Sequence, residues 1–178
     1  AGVWSLGSVF NVEVPATIKV VVNGTLPAGV LAKDLVLFIV GKLTAEGANF
    51  KVIEFHGEAI RRMPVSGRLV LCNMSVEAGA TSGIVPCDEE TLRYLRDEAG
   101  VREPIDAVAP DADAAYDRVL EIDASSLVPQ VACPHTVDHV KPVGDGAALA
   151  GHPAVIGAGA HRRPALPGVR ASTPKAPP

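Results

Sequence analysis

Hydrophobic positions recur along the chain in two different periods. From Thr17 to Val22 a β-branched run closes on Asn23-Gly24, which predicts a strand entering a tight turn. Between Ala32 and about Thr44, Leu35, Val36, Ile39, Val40 and Leu43 fall at helical spacing, so one face of a helix is buried; Gly47 supplies a stop. Phe50 to Phe55 alternates as a strand again. Strand, helix and strand joined by short links predict a parallel crossover, hence an α/β domain.

Glu58 to Met63 then predicts a short helix ended by Pro64, and Ser66 is placed to cap a helix from about Gly67 to Ala78 that stops at Gly79. Leu69, Val70, Cys72, Met74 and Val76 are its candidates for burial. Ile84-Val85 predicts a brief strand, and Asp88 caps a helix from Glu89 to Glu98 ended by Gly100. Glu103 to Asp113 is acidic and holds two prolines, which predicts a surface connection. Ala114 to Asp117 predicts a helical turn and Val119 to Asp123 a strand. Pro129 to Pro142 is interrupted by proline too often for regular structure and predicts a crossing loop. After Gly151 apolar periodicity is lost, which predicts a disordered tail. The expected division is an α/β domain over residues 1–118, a crossing segment over 119–150 and a divergent tail over 151–178.

Composition narrows this picture. Over 178 residues the hydrophobic fraction is 48% but the aromatic share only 4%, so the core must be built from Ala, Val, Leu and Ile, which suits α/β layers. A formal charge of -4, with no basic stripe before the tail, argues against a nucleic-acid partner. The longest apolar run, Leu35 to Val40, is far below the ~20 residues that span a bilayer, and Ala1 to Phe10 lacks the charged start of a signal peptide. A cytoplasmic protein without a membrane partner is expected. Cys72, Cys87 and Cys133 form neither a CxxC knuckle nor a disulfide framework, so buried thiols are expected rather than ligands.

The candidate chemistry is a pair. Asn73 and Glu77 lie four apart on the predicted helix and should share one face. A carboxylate beside a carboxamide can accept from and donate to one hydroxyl or water, which is what a dehydration site needs around its departing oxygen. The plain alternative is an exposed helix face, and spacing alone favours it. His56 follows a strand and is a minor candidate. Arg68 is expected to pair with an acid such as Glu58 rather than with a substrate. His135 and His139 have a metal-like spacing, but Pro134 and its loop remove the helix that would align them.

Resemblance raises the pair. Pro15-Ala16-Thr17-Ile18-Lys19-Val20, then Gly29-Val30-Leu31-Ala32-Lys33-Asp34-Leu35, then Val52-Ile53-Glu54-Phe55-His56-Gly57 resemble successive motifs of the aconitase superfamily, in order. The strongest stretch is Gly67-Arg68-Leu69-Val70-Leu71-Cys72-Asn73-Met74-Ser75-Val76-Glu77-Ala78-Gly79-Ala80, followed by Gly83-Ile84-Val85-Pro86-Cys87-Asp88-Glu89. Pro129 to His135 and Val140-Lys141-Pro142-Val143 resemble the passage towards the family's cluster domain. Within the superfamily the chain is most similar to large subunits of 3-isopropylmalate dehydratase, with homoaconitate enzymes close by.

The resemblance implies a three-layer α/β middle domain with a parallel sheet and a partial linker into the cluster domain. It places Asn73 and Glu77 among the family's active-site residues. It implies a hydro-lyase of leucine biosynthesis that isomerises 2-isopropylmalate by dehydration and rehydration, with a small hydroxy-acid substrate and a small swivelling subunit as partner. It further implies a 4Fe-4S cluster whose iron acts on the substrate hydroxyl through three thiolates.

The Cys-Thr-x-Gly-Arg and CxxC motifs that hold such a cluster do not occur here. Val155 to Pro164 starts like the strand leading to the first of them and then diverges. A one-base phase shift of plausible codons at His161 to Pro164 would restore Thr-Gly-Gly-Arg, so a frameshift near Gly157 is expected. The chain is therefore expected to be an internal fragment, inactive alone. Homoaconitate, citrate and a non-catalytic interaction module are the competing expectations.

Overall fold

A computed structural model of the chain describes residues 13–145 and 155–156. Strand β1 (Thr17–Asn23) leads through Gly24 and Gly29, both at positive φ, into helix α1 (Ala32–Leu43) and then strand β2 (Val52–His56). Helix α2 (Glu58–Arg61), helix α3 (Val65–Met74) and a 3-10 turn (Ser75–Ala78) follow, then strand β3 (Ser82–Ile84) and helix α4 (Glu89–Asp97). Strand β4 (Arg118–Asp123) and a second 3-10 turn (Ala124–Ser126) lead to short strands β5 (Gln130–Ala132), β6 (Val140–Pro142) and β7 (Val155–Ile156).

The first four strands form one parallel sheet in the order β3-β2-β1-β4, the expected α/β architecture. One face carries Ile18, Val20, Val22, Ile53 and Phe55, all at most 1% exposed, against Leu35, Val36, Ile39 and Val40 of α1, Ile60 of α2 and Leu71 of α3. The core is aliphatic apart from Phe55. The opposite face is half-open: Lys19 stands in register with Glu54 and Val119, and Val21 with His56. Tyr116, on the connection into β4, lies there with Lys19 Nζ 4.6 Å from its ring centroid and the His56 ring against its edge. Partial burial, together with the Glu54 carboxylate that it bonds, pushes the Tyr116 hydroxyl above its ordinary value.

Several boundaries differ from expectation for local reasons. Helix α1 ends at Thr44, held at φ 70 and ψ 167, before Gly47 is reached; Gly47 instead lets the chain pass against the Leu43 carbonyl. Helix α3 begins at Val65 with Pro64 at its cap position, and no side-chain bond caps it, so Ser66 does not serve as the cap. Leu71, absent from the expected burial set, is its fully buried residue, whereas Leu69 is 58% and Val76 65% exposed. The strand expected at Ile84-Val85 starts earlier, at Ser82. Asp88 caps α4 as expected, its side chain accepting from Thr91 N–H, but Ala114 to Asp117 forms no helical turn. There Asp117 N–H donates to the Thr17 carbonyl and starts β4.

The segment from Pro129 to Pro142 is regular after all: β5 and β6 pair antiparallel. Pro129 precedes β5, Pro134 lies in the connection and Pro142 ends β6, so none removes an N–H that this short ladder needs. The pair folds back on α1. Buried Asp34 accepts from Leu31 N–H at 2.8 Å with one carboxylate oxygen and from Gln130 N–H at 2.9 Å with the other, and Asp138 accepts from Ala45 N–H. The sheet continues across residue 118, because β4 is bonded to β1 along its length. The expected tail and the divergence at Val155 to Pro164 lie outside the described residues, apart from Val155–Ile156.

Candidate functional site

Helix α3 runs back across the sheet, and its last turn stands beside the start of edge strand β3. Two features bring them close. Ser75 Oγ donates to the Leu71 carbonyl at 3.0 Å, and at that point the α-helix tightens into the 3-10 turn. Gly83 has no side chain to hold β3 away: a Cβ there would sit 2.3 Å from Ser75 Oγ and 2.8 Å from Cys72 Cα. The turn ends at Gly79, in left-handed geometry at φ 82, and the Ala78 carbonyl accepts from Ala48 N–H.

Between this helix end and β3 lies an open groove of about 470 Å³, lined by Leu69, Cys72, Asn73 and Val76 on one side and Thr81 to Gly83 on the other. Asn73 and Glu77 are both exposed, and neither side chain has a hydrogen bond or ion pair to another described residue. The structure changes their relationship. Asn73 is in α3, but Glu77 is in the 3-10 turn, where each residue advances ~120° rather than ~100° and positions three apart eclipse. Val76 therefore follows Asn73 along the groove, and Glu77, the next residue, stands exposed beside that line.

Arg68 anchors the start of this helix. It is 3% exposed, and its guanidinium donates to both Asp88 oxygens, at 2.6 and 2.9 Å, and to the carbonyls of Met63 and Arg61. The expected partner Glu58 instead pairs with Arg62. Partial burial works against the charge of Asp88, yet bonds from Arg68 and Thr91 hold its carboxyl below the usual range. Sequence reasoning missed this pair because its members are separated by a strand and two turns, although the shared motif stretch contained both.

The other candidates resolve as structural groups. His56 Nε2 lies 2.7 Å from Glu54 Oε1 on the half-open sheet face. His139 offers its carbonyl to Cys133 N–H, and His135 is held at φ 93. Burial pushes the Cys72 thiol up, with Val85 backbone bonding opposing it. Among the described residues no three His, Cys, Asp or Glu side chains lie close enough together to hold a metal ion. No described helix is long and apolar enough to cross a membrane.

The sequence of residues 4–155 matches the model of the aconitase family (aconitate hydratase). The chain belongs to the aconitase family. Its curated relatives include 3-isopropylmalate dehydratase large subunit 1 of Methanopyrus kandleri, 47% identical over 146 residues, covering 82% of this chain and 34% of the relative. The probable methanogen homoaconitase large subunit of Methanosarcina mazei is 47% identical over 133 residues, 75% of this chain and 34% of the relative. The 3-isopropylmalate dehydratase large subunit of Oleidesulfovibrio alaskensis is 42% identical over 157 residues, 88% of this chain and 37% of the relative. This aconitase-family chain thus spans about a third of the length of the relatives it matches.

Aconitase-family proteins generally carry a 4Fe-4S cluster. The described cysteines do not fit its ligation: Cys72 lies on the groove wall, Cys87 lies beyond β3 and Cys133 lies in the β5–β6 hairpin, and none joins a group of three possible ligands among the described residues.

Proposed function

We propose that this chain is part of the large subunit of a hydro-lyase that converts 2-isopropylmalate to 3-isopropylmalate in leucine biosynthesis. The observation that carries the reading is the match to dehydratase large subunits across most of this chain, 82% of it at 47% identity for the Methanopyrus kandleri relative. In the reaction the carbon–oxygen bond of the hydroxyl breaks, a proton leaves the neighbouring carbon, and a double bond forms with loss of water. Water then adds back with hydroxyl and hydrogen exchanged between the two carbons.

Asn73 and Glu77 are assigned to this oxygen. The carboxamide N–H of Asn73 donates to it, and the carboxylate of Glu77 accepts from the hydroxyl or departing water. Both exposed side chains lack partners among the described residues, which supports the assignment because neither must break a bond to engage substrate. The ligands of the 4Fe-4S cluster and the contacts to a small swivelling subunit are assigned to other parts of the complete enzyme.

Homoaconitate is the second reading, which rests on the Methanosarcina mazei relative alone among those named here. The test is the complete large subunit, assembled with its small subunit, offered 2-isopropylmalate and homoaconitate separately. Formation of the unsaturated diacid from 2-isopropylmalate is expected. Turnover of homoaconitate alone would move the assignment to the second reading, and turnover of neither would remove the hydro-lyase reading.

A further inference from the structure

Helix α3 has little apolar anchorage of its own. Of its ten residues only Arg68 and Leu71 are buried, one turn apart on one side, while Val70 and Met74 pack against the core in part. Its start, at Pro64, has no side-chain cap. Arg68 supplies what packing does not. Its Nε donates to the Met63 carbonyl at 2.9 Å, and its Nη2 to the Arg61 carbonyl and to Asp88 Oδ2, both at 2.9 Å. Nη1 donates to Asp88 Oδ1 at 2.6 Å and to Thr91 Oγ1 at 3.1 Å. One planar group thus joins the end of α2, the turn into α3 and the start of α4.

Burying an ion carries a desolvation cost that a packed apolar side chain of similar size does not. What the guanidinium adds is direction, because its N–H groups form a rigid fork in one plane. Asn73 needs such a reference. It is exposed, no bond to another described side chain orients it, and so its aim is that of the helix that carries it.

We infer that Arg68 is a positioning residue, which with Asp88 sets the rotation of α3 and so aims the Asn73 carboxamide at the substrate oxygen. The inference rests on the assignment of Asn73 to that oxygen and adds the group that orients it. Five residues separate the two positions, roughly 7.5 Å along the axis at the rise of an α-helix, so a rotation of the helix start reaches Asn73 within one and a half turns. Sites of this kind tolerate misorientation of only about 10–20°. Lysine at position 68 would keep the charge but replace the fork with a single ammonium, which cannot serve both Asp88 oxygens and two carbonyls in one plane.

The test uses the complete enzyme with its small subunit, well below its melting transition. Arg68→Lys should lower kcat for 2-isopropylmalate about tenfold and leave KM within about twofold, with iron content and subunit assembly level. A double-mutant cycle with Asn73→Ala gives the readout that a purely structural role would not move. If Arg68 acts through Asn73, Arg68→Lys should cost less than about twofold further once the carboxamide is gone. Asp88→Asn should give the same pattern, and it carries the test if Arg68→Lys does not fold. Full kcat in folded variants of lowered melting temperature would make the pair structural only and overturn the inference. Failure of both variants to assemble would do the same. If Asn73→Ala itself keeps full kcat, the site assignment falls and this inference with it. If Asn73→Ala is impaired and the two losses multiply, this inference alone is overturned.

Discussion

Arg68 and Asp88 meet through two parallel N–H···O bonds of 2.6 and 2.9 Å, joining the first turn of α3 to the N-cap of α4. The same Asp88 oxygen that faces Arg68 Nη1 also accepts from Thr91 N–H at 3.1 Å. One carboxylate therefore fixes the helix that carries Asn73 and starts the helix that follows β3.

Replacing Asp88 with Asn keeps its size but leaves the buried guanidinium without a counter-charge, at a cost of about 2–3 kcal/mol. Chemical denaturation of the complete protein should show that loss at neutral pH. Because the folded carboxyl is held below its ordinary value, its contribution is complete above about pH 4 and is lost as the pH falls through the folded value. The Asn variant should accordingly lose less stability than the parent on acidification below pH 4, a difference that vanishes if Asp88 is not charged in the fold.

Asp34 joins the cap of α1 to β5, one oxygen serving Leu31 N–H and the other Gln130 N–H, with the side chain 3% exposed. Asp34→Ala strips both acceptors and should destabilise the protein by about 2–4 kcal/mol. Hydrogen exchange should rise first at Gln130, whose amide donates to Asp34 Oδ1; unchanged protection there would contradict the bond.

Thr44 occupies φ 70 and ψ 167, a region in which a β-branched side chain is strained by about 1–3 kcal/mol. Glycine relieves this at a smaller entropic cost of about 0.5–1 kcal/mol. Thr44→Gly should therefore raise the melting temperature, the reverse of the usual effect of glycine, and a fall would mean that the α1 terminus is relaxed as it stands.

Glu77→Gln keeps the shape of the exposed side chain and removes the carboxylate that is assigned to the departing oxygen. In the complete enzyme kcat should fall about a hundredfold while melting temperature and iron content stay level. Asn73→Ala should behave similarly. An unchanged kcat in both variants would return the pair to the plain reading of an exposed helix face.

The chain's own pattern was enough to determine the α/β class, the strands at Thr17 to Val22 and Val119 to Asp123, helix α1 and the Asp88 cap, because period, β-branching and capping act over a few residues. Family motifs also picked out Asn73 and Glu77. Only the tertiary structure decided what surrounds them. Arg68 finds Asp88 across β3 rather than nearby Glu58, and Gly83 admits β3 against Cys72. The helix tightens at Ser75, so that Val76 and not Glu77 lines the groove with Asn73. The β5–β6 hairpin forms despite its prolines because Asp34 of α1 accepts from Gln130 N–H and Asp138, in the hairpin's own connection, accepts from Ala45 N–H after α1. Each of these depends on groups distant in sequence meeting in space, and helical spacing carries no information about which way the final turn will wind.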